Sequence, residues 1–244
     1  FRYLLGNLND NFEKIDLEKI NLSEMPELEQ FMLHKIYLLN ENFKNYFTNY
    51  DFHNLYKELL NFCTVDLSAF YFDIRKDILY CDELDSKKRK STIILLNIIL
   101  NALLKWFAPI LSFTTEEIFR LILGDNKSIH LENFLDFPEL FKNDPLNDKW
   151  QELIKIRNIC NISIEEKRAS KEIGSSLEAE LKINLDERFI NITKNIDFSE
   201  LCITSKAKIS FSKIIETKVD TIKAKGSKCP VCWKISEEPC ARHS

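Results

Sequence analysis

From Asp51 to Leu123 the chain carries its longest uninterrupted run of apolar residues at helical spacing. Phe52, Leu55, Tyr56, Leu59, Phe62 and Cys63 step by three and four, and Leu67, Phe70, Tyr71, Ile74 and Ile78 continue the stripe. This is the pattern of a long amphipathic helix. A second long helix is expected from Ser86, a good N-cap, through Thr92 to Phe107, ending where Pro109 withholds a backbone donor. A short third one begins at Thr114 or Thr115, with Glu116 and Glu117 placed at its positive end. Thr92 to Leu111 has the length of a membrane span. Asn97, Asn101 and Lys105 nevertheless recur every fourth residue and draw a wet stripe along it, which predicts a bundle helix in water.

Upstream, Phe1 to Leu8 reads as the end of a helix, with Gly6 and Asn7 able to close a turn, and the polar run from Asn9 to Glu24 reads as a loop. Leu28, Phe31, Ile36, Leu39, Phe43 and Phe47 predict a long partner helix from Glu27 to Phe47, started by Pro26, and Asp51 is the next cap. Gly124 to Leu146 has no sustained period and contains Pro138 and Pro145, so it is expected to be a surface linker. Trp150, Leu153, Ile154, Arg157, Asn161 and Ile164 predict a helix to about Ala169, with Lys155, Arg157, Lys167, Arg168 and Lys171 facing solvent. Beyond Gly174 the period becomes two. Leu177, Ala179, Leu181, Ile183 and Leu185 alternate with polar residues, as a half-buried strand does. A short helix over Glu187 to Ile196 and strands over Leu201 to Ile209 and Lys213 to Lys223 complete a small α/β domain.

Composition changes this picture in three ways. With 4 glycines in 244 residues the chain has neither a Walker loop nor a dinucleotide fingerprint. Its net charge of -4 is unevenly spread: from Lys206 to Ser244 nine basic residues face four acidic ones, leaving that segment +5 and the remainder -9. Such asymmetry suits an end that meets nucleic acid or an anionic surface, although a lysine-rich solvated face gives the same counts. Cys63, Cys81, Cys160 and Cys202 lie singly in apolar or mixed stretches, as buried thiols do in a reducing compartment, so the cytoplasm is expected. The chain opens on Phe1 without a signal peptide or methionine and reads as a piece of something longer.

The candidate chemistry is at the other end. Lys228-Cys229-Pro230-Val231-Cys232-Trp233 and Cys240-Ala241-Arg242-His243 form two knuckles separated by seven residues. Three thiolates and an imidazole can close a tetrahedron around zinc with no position left for water, so the site would be structural. A redox C-x-x-C in a thioredoxin-like context and a frayed terminus in which His243 binds nothing are the competing readings. Trp233 either caps the knuckle core, its usual role on general grounds, or offers a stacking platform for a base. Lys223, Lys225, Lys228, Lys234 and Arg242 around it could contact phosphates. No catalytic set emerges: His34 and His53 are expected to be partly exposed helix residues, His130 stands in a loop, and Asp73, Asp77 and Asp82 lack metal-loop spacing.

Several stretches resemble the isoleucyl-tRNA synthetase family after its catalytic domain. They are Arg2 to Leu8, Asp66 to Asp73 with Lys76-Asp77 and Leu79-Tyr80, Ala108 to Ile118, Lys171 to Ala179, and Lys228-Cys229 to Cys232-Trp233. The resemblance implies a mainly α fold: a class I synthetase anticodon-binding helical bundle, a small α/β junction domain and a C-terminal zinc knuckle. On that plan residues 1–24 leave an absent catalytic domain, 25–146 form the bundle with its linker, 147–225 the junction and 226–244 the knuckle. The catalytic and editing domains, and the ATP site, would lie before Phe1. The implied role is to dock the anticodon arm of isoleucine-accepting tRNA for ATP-dependent aminoacylation, in a monomer without membrane contact.

Arg157, Lys167, Arg168, Lys171, Lys225, Lys228, Trp233 and Arg242 are the expected tRNA contacts, and Cys229, Cys232, Cys240 and His243 the expected zinc ligands. The family site usually has four cysteines with a longer insert, which makes His243 the departure from the pattern. The valine and leucine enzymes share the bundle but lack the terminal knuckle. A non-enzymatic helical adaptor with a zinc tail would need only the bundle and the charge.

Overall fold

The computed structural model describes residues 1–8, 12, 15–124, 126–213 and 216–243. Parts of the expected 9–24 loop and of the expected 213–223 strand lie outside these residues. The chain forms two compact units, residues 1–70 with 82–144, and residues 71–81 with 145–244.

The first unit is helical. Helix α1 (Arg2–Leu8) keeps Gly6 and Asn7 inside it, the Asn7 amide donating back to the Tyr3 carbonyl. Helix α2 (Glu27–Thr48) follows Pro26, and α3 (Phe52–Asn61) is capped by Asp51, whose carboxylate accepts from the Asn54 amide. The expected long helix then widens into a π-helical stretch over Phe62–Phe72. Phe62 and Leu67 are both buried, five residues apart. That spacing suits the broader π turn rather than the 3.6-residue α turn.

Helix α5 (Lys87–Phe107), named in chain order after a helix α4 (Asp73–Cys81) that belongs to the second unit, is capped by Ser86. It is long and apolar enough to cross a membrane, but 67% of its apolar window is buried inside the unit, as in a core helix. Its polar stripe is not wet. Asn97 is buried and bonds the Ile93 carbonyl, and Lys105 is largely covered and paired with Glu132 at 3.4 Å. Helix α6 (Ser112–Leu123) starts earlier than expected, so Glu116 lies past its first turn. Glu116 instead ties the following segment down, accepting from Ser128 Oγ and the Ile129 amide.

The expected surface linker is partly internal. Ile129, Phe137 and Phe141 are buried. Asn40 donates to the Leu135 carbonyl at 3.0 Å and accepts from Trp106 Nε1 at 3.2 Å, and the ring of Trp106 packs on Phe43. His34 is fully buried rather than partly exposed, its Nδ1 accepting from the Asn143 amide at 2.9 Å. An apolar helix face cannot reveal in sequence that a distant loop needs an acceptor beneath it.

The second unit holds α7 (Asp144–Ala169), which starts six residues before Trp150 because Pro145 fits a first helical turn. A three-stranded sheet follows, of order β2-β1-β3, from β1 (Ala179–Asp186), β2 (Lys206–Ser212) and β3 (Lys218–Lys223). Strand β2 runs parallel to β1, with Ile183 opposite Ile209, and β3 runs antiparallel, with Leu181 opposite Thr221. Ser163 of α7 bonds Thr221 at 2.7 Å, seating the helix on the sheet face formed by Leu181, Ile183 and Leu185. The strand expected from Leu201 starts later, because a short helix α9 (Phe198–Leu201), capped by Asp197 and preceded by α8 (Ile190–Thr193), takes up its first residue.

Candidate functional site

Ser227–Lys228 and Ile235–Ser236, strands β4 and β5, form a two-stranded ribbon whose turn carries the C-x-x-C knuckle. The Cys229 amide donates to the Lys234 carbonyl at 2.9 Å and the Trp233 amide to the Cys229 carbonyl at 3.1 Å, folding the turn so that both sulfurs face inward. Gly226, at φ 119°, makes the ribbon possible: a Cβ there would lie 2.0 Å from the Ser236 carbonyl oxygen.

The donor atoms of Cys229, Cys232, Cys240 and His243 all lie within 4.8 Å of one another. Cys232 and Cys240 sulfurs are 3.8 Å apart, and His243 Nδ1 stands 3.4 Å from Cys240 Sγ and 3.6 Å from Cys229 Sγ. Tetrahedral ligands bonded at about 2.3 Å to sulfur and about 2.0 Å to nitrogen would stand about 3.8 Å apart for two sulfurs and about 3.5 Å for sulfur and nitrogen. The cluster therefore has the dimensions of a closed four-ligand metal site.

Its electrostatics split the thiols, two favouring the thiolate and one the protonated form. The Cys232 amide pointing at its sulfur, against the cost of burial, brings the Cys229 thiol down to about 6. The Arg242 amide likewise lowers Cys240. Burial pushes Cys232 up to about 11, so that thiol awaits a positive partner. A metal ion would supply that charge and deprotonate it.

The other expected contacts are dispersed by the fold. Arg157 is 8% exposed, its Nε donating to the Leu201 carbonyl at 2.9 Å, so it braces the unit's interior and does not face solvent. Lys167 pairs with Glu172 at 2.8 Å and Arg168 with Glu165 at 2.6 Å, both at the surface. Lys171 follows the helix in a left-handed conformation, φ 60°, and lines a shallow hollow with Arg168, Ile173 and Gly174. Lys225 and Lys228 are exposed. Trp233 is 58% exposed, so it does not cap a core. Lys228 Nζ sits 4.9 Å from its ring centre. Arg242 binds Asp77 at 2.6 Å. Asp77 and the main chain of Cys81, which borders the cluster, carry no sequence signal that ties them to it.

A family model described as the anticodon-binding domain of tRNA ligase matches residues 29–183. The chain belongs to this family. Along its whole length this anticodon-binding chain is 67% identical to isoleucine--tRNA ligase of Pelagibacter ubique, and covers 27% of that relative. It is 35% identical to isoleucine--tRNA ligase of Agrobacterium fabrum and 38% to that of Bradyrhizobium diazoefficiens, in each case over 97% of the chain. It spans about a quarter of these relatives' length, 25% and 24% respectively. The match to the anticodon-binding domain covers the helical unit from residue 29 onward, α4, α7 and part of β1, and the Cys/His cluster lies outside it.

Proposed function

We propose that this chain is the part of an isoleucine--tRNA ligase that docks the anticodon arm of isoleucine-accepting tRNA, while ATP-dependent aminoacylation takes place on a catalytic region of the same polypeptide outside residues 1–244. The observation that carries this reading is the 67% identity, over the full chain, to a protein of that name. The cluster of three cysteines and one histidine is read as a structural zinc site, because its donors are soft, its spacing is tetrahedral and all four positions are filled by protein. No general base or nucleophile is assigned within the chain.

Trp233 supports the docking role. Residues with large side chains avoid φ 64°, and a conformation of this kind costs about 1 kcal/mol or more, which glycine would avoid. An exposed ring kept at that cost beside Lys228 suits stacking on an unpaired base, with the lysine near the adjoining phosphate. Lys167, Arg168, Lys171 and Lys225 would add phosphate contacts, and Arg242 a weaker one because it is already paired. Arg157 is withdrawn from this set.

A mobility-shift titration tests the reading with isoleucine tRNA and a non-cognate tRNA at two salt concentrations. Tighter, salt-sensitive binding of the isoleucine tRNA is expected, weakened about 5- to 100-fold by Trp233→Ala at unchanged helix content. Equal or absent binding of both tRNAs would refute it. Elemental analysis should find close to one zinc per chain, lost in Cys229→Ser.

A further inference from the structure

The cluster is held from outside its own loop by one helix. Helix α4 approaches the last ligand with its final turn. The Cys81 main-chain carbonyl stands 2.8 Å from His243 Nε2, and the Asp77 carboxylate, one turn earlier on α4, binds Arg242 Nη1 at 2.6 Å. A third contact, from Cys81 Sγ to the Val231 carbonyl at 3.7 Å, reaches the other knuckle. The turn that carries His243 is thus tied to this nine-residue helix, and the other turn touches it only through a weak thiol contact.

Imidazole can bind a metal through either nitrogen, and the choice is set by the hydrogen bond made by the other one. A carbonyl oxygen only accepts, so a hydrogen bond to Cys81 requires a proton on Nε2. That leaves the Nδ1 lone pair free, on the nitrogen that lies 3.4 Å from Cys240 Sγ and 3.6 Å from Cys229 Sγ. Arg242 precedes His243 directly, so its ion pair restrains the backbone that carries the ring. A ligand on a turn without such restraint would have to be ordered by the metal alone, at a cost in conformational entropy.

We propose that α4 is the positioning element of the metal site: the Cys81 carbonyl selects the Nδ1-binding tautomer of His243, and the Asp77–Arg242 pair anchors the turn that presents it. The proposal rests on the zinc reading given above, and the experiment separates the two.

Zinc content of the full chain is measured first, then the rate at which zinc passes to a chromophoric chelator. The parent chain should hold close to one zinc. A parent chain that binds none overturns both readings. Arg242→Ala and Asp77→Ala should each speed release about 10- to 100-fold, and the exchanged pair Asp77→Arg with Arg242→Asp should restore it to within about threefold of the parent. Cys81→Ala keeps the carbonyl and should leave release within about twofold. Arg242 is exposed, so its removal opens no core, and far-UV circular dichroism checks that each variant is folded. Nitrogen-15 correlation spectra of the zinc-loaded chain should show His243 protonated at Nε2. The positioning role is overturned if Arg242→Ala releases zinc at the parental rate, if the exchanged pair remains as fast as the single variants, if Cys81→Ala releases as fast as Arg242→Ala, or if the ring is found bound through Nε2.

Discussion

Four side chains at the end of the sequence differ sharply in how readily they give up a proton. With its thiol brought down to about 6 by the Cys232 amide, Cys229 is mostly thiolate at neutral pH when no metal is present. Cys63, pushed up to about 11 by burial, is not. In metal-free protein at pH 7, iodoacetamide should therefore label Cys229 far ahead of Cys63, and zinc should protect it, as followed by peptide mass mapping. The rate should fall as pH drops through about 6. Because folding lowers this pKa from 9.0, its thiolate favours the folded metal-free chain at high pH, and that contribution fades as pH falls through about 6. The clustering of Cys229, Cys232, Cys240 and His243 was readable in sequence because C-x-x-C spacing fixes a turn whatever surrounds it. Arg157 was not: helical periodicity places a residue on a face, but only the folded chain shows that the Leu201 carbonyl waits there as its partner.

Among the elements, α4 departs furthest from what its sequence suggests. Its apolar spacing continues that of α3 without a break, so it reads as more of the same helix, yet it packs with the α/β unit. The π-helical turns before it leave the 3.6-residue repeat that the stripe had suggested. Its Arg75 is almost wholly buried and paired with Glu200 next to the Asp197 cap of α9. Arg75→Ala would leave the Glu200 carboxylate partly buried without its cation. A loss of roughly 3 kcal/mol in urea unfolding is expected, with a smaller loss when Glu200→Gln accompanies it. The longer helices of the bundle were legible because Pro26, Asp51 and Ser86 mark their starts and their apolar faces are continuous. The segment between Gly124 and Asp144 was not, since its anchors, Asn40 and His34, lie about a hundred residues away in sequence.

For the whole molecule, the two units each possess a core of their own, Trp106 and Phe43 in one, Leu181 and Ile183 in the other. Chains of this kind need not unfold in one step. Stripping the metal should therefore act locally: hydrogen exchange by mass spectrometry is expected to quicken in residues 227–243 and in the last turn of α4, leaving α2 and α5 as slow as before. A uniform increase across both units would contradict this. The basic bias of the last 39 residues was visible in composition, whereas its use was not, because Lys208 and Arg242 among those cations are spent on the neighbours Glu180 and Asp77.

The interleaving of residues 71–81 with a unit otherwise drawn from 145–244 also bears on how the protein can be dissected. A truncation starting at residue 145 would retain the three thiols and the imidazole of the cluster while discarding the scaffold that aims them, Asp77 and the Cys81 carbonyl, together with the cation that neutralises Glu200. Such a fragment should regain tight metal retention when a synthetic peptide spanning 71–81 is added back, so that a single stretch of chain acts as a removable keystone.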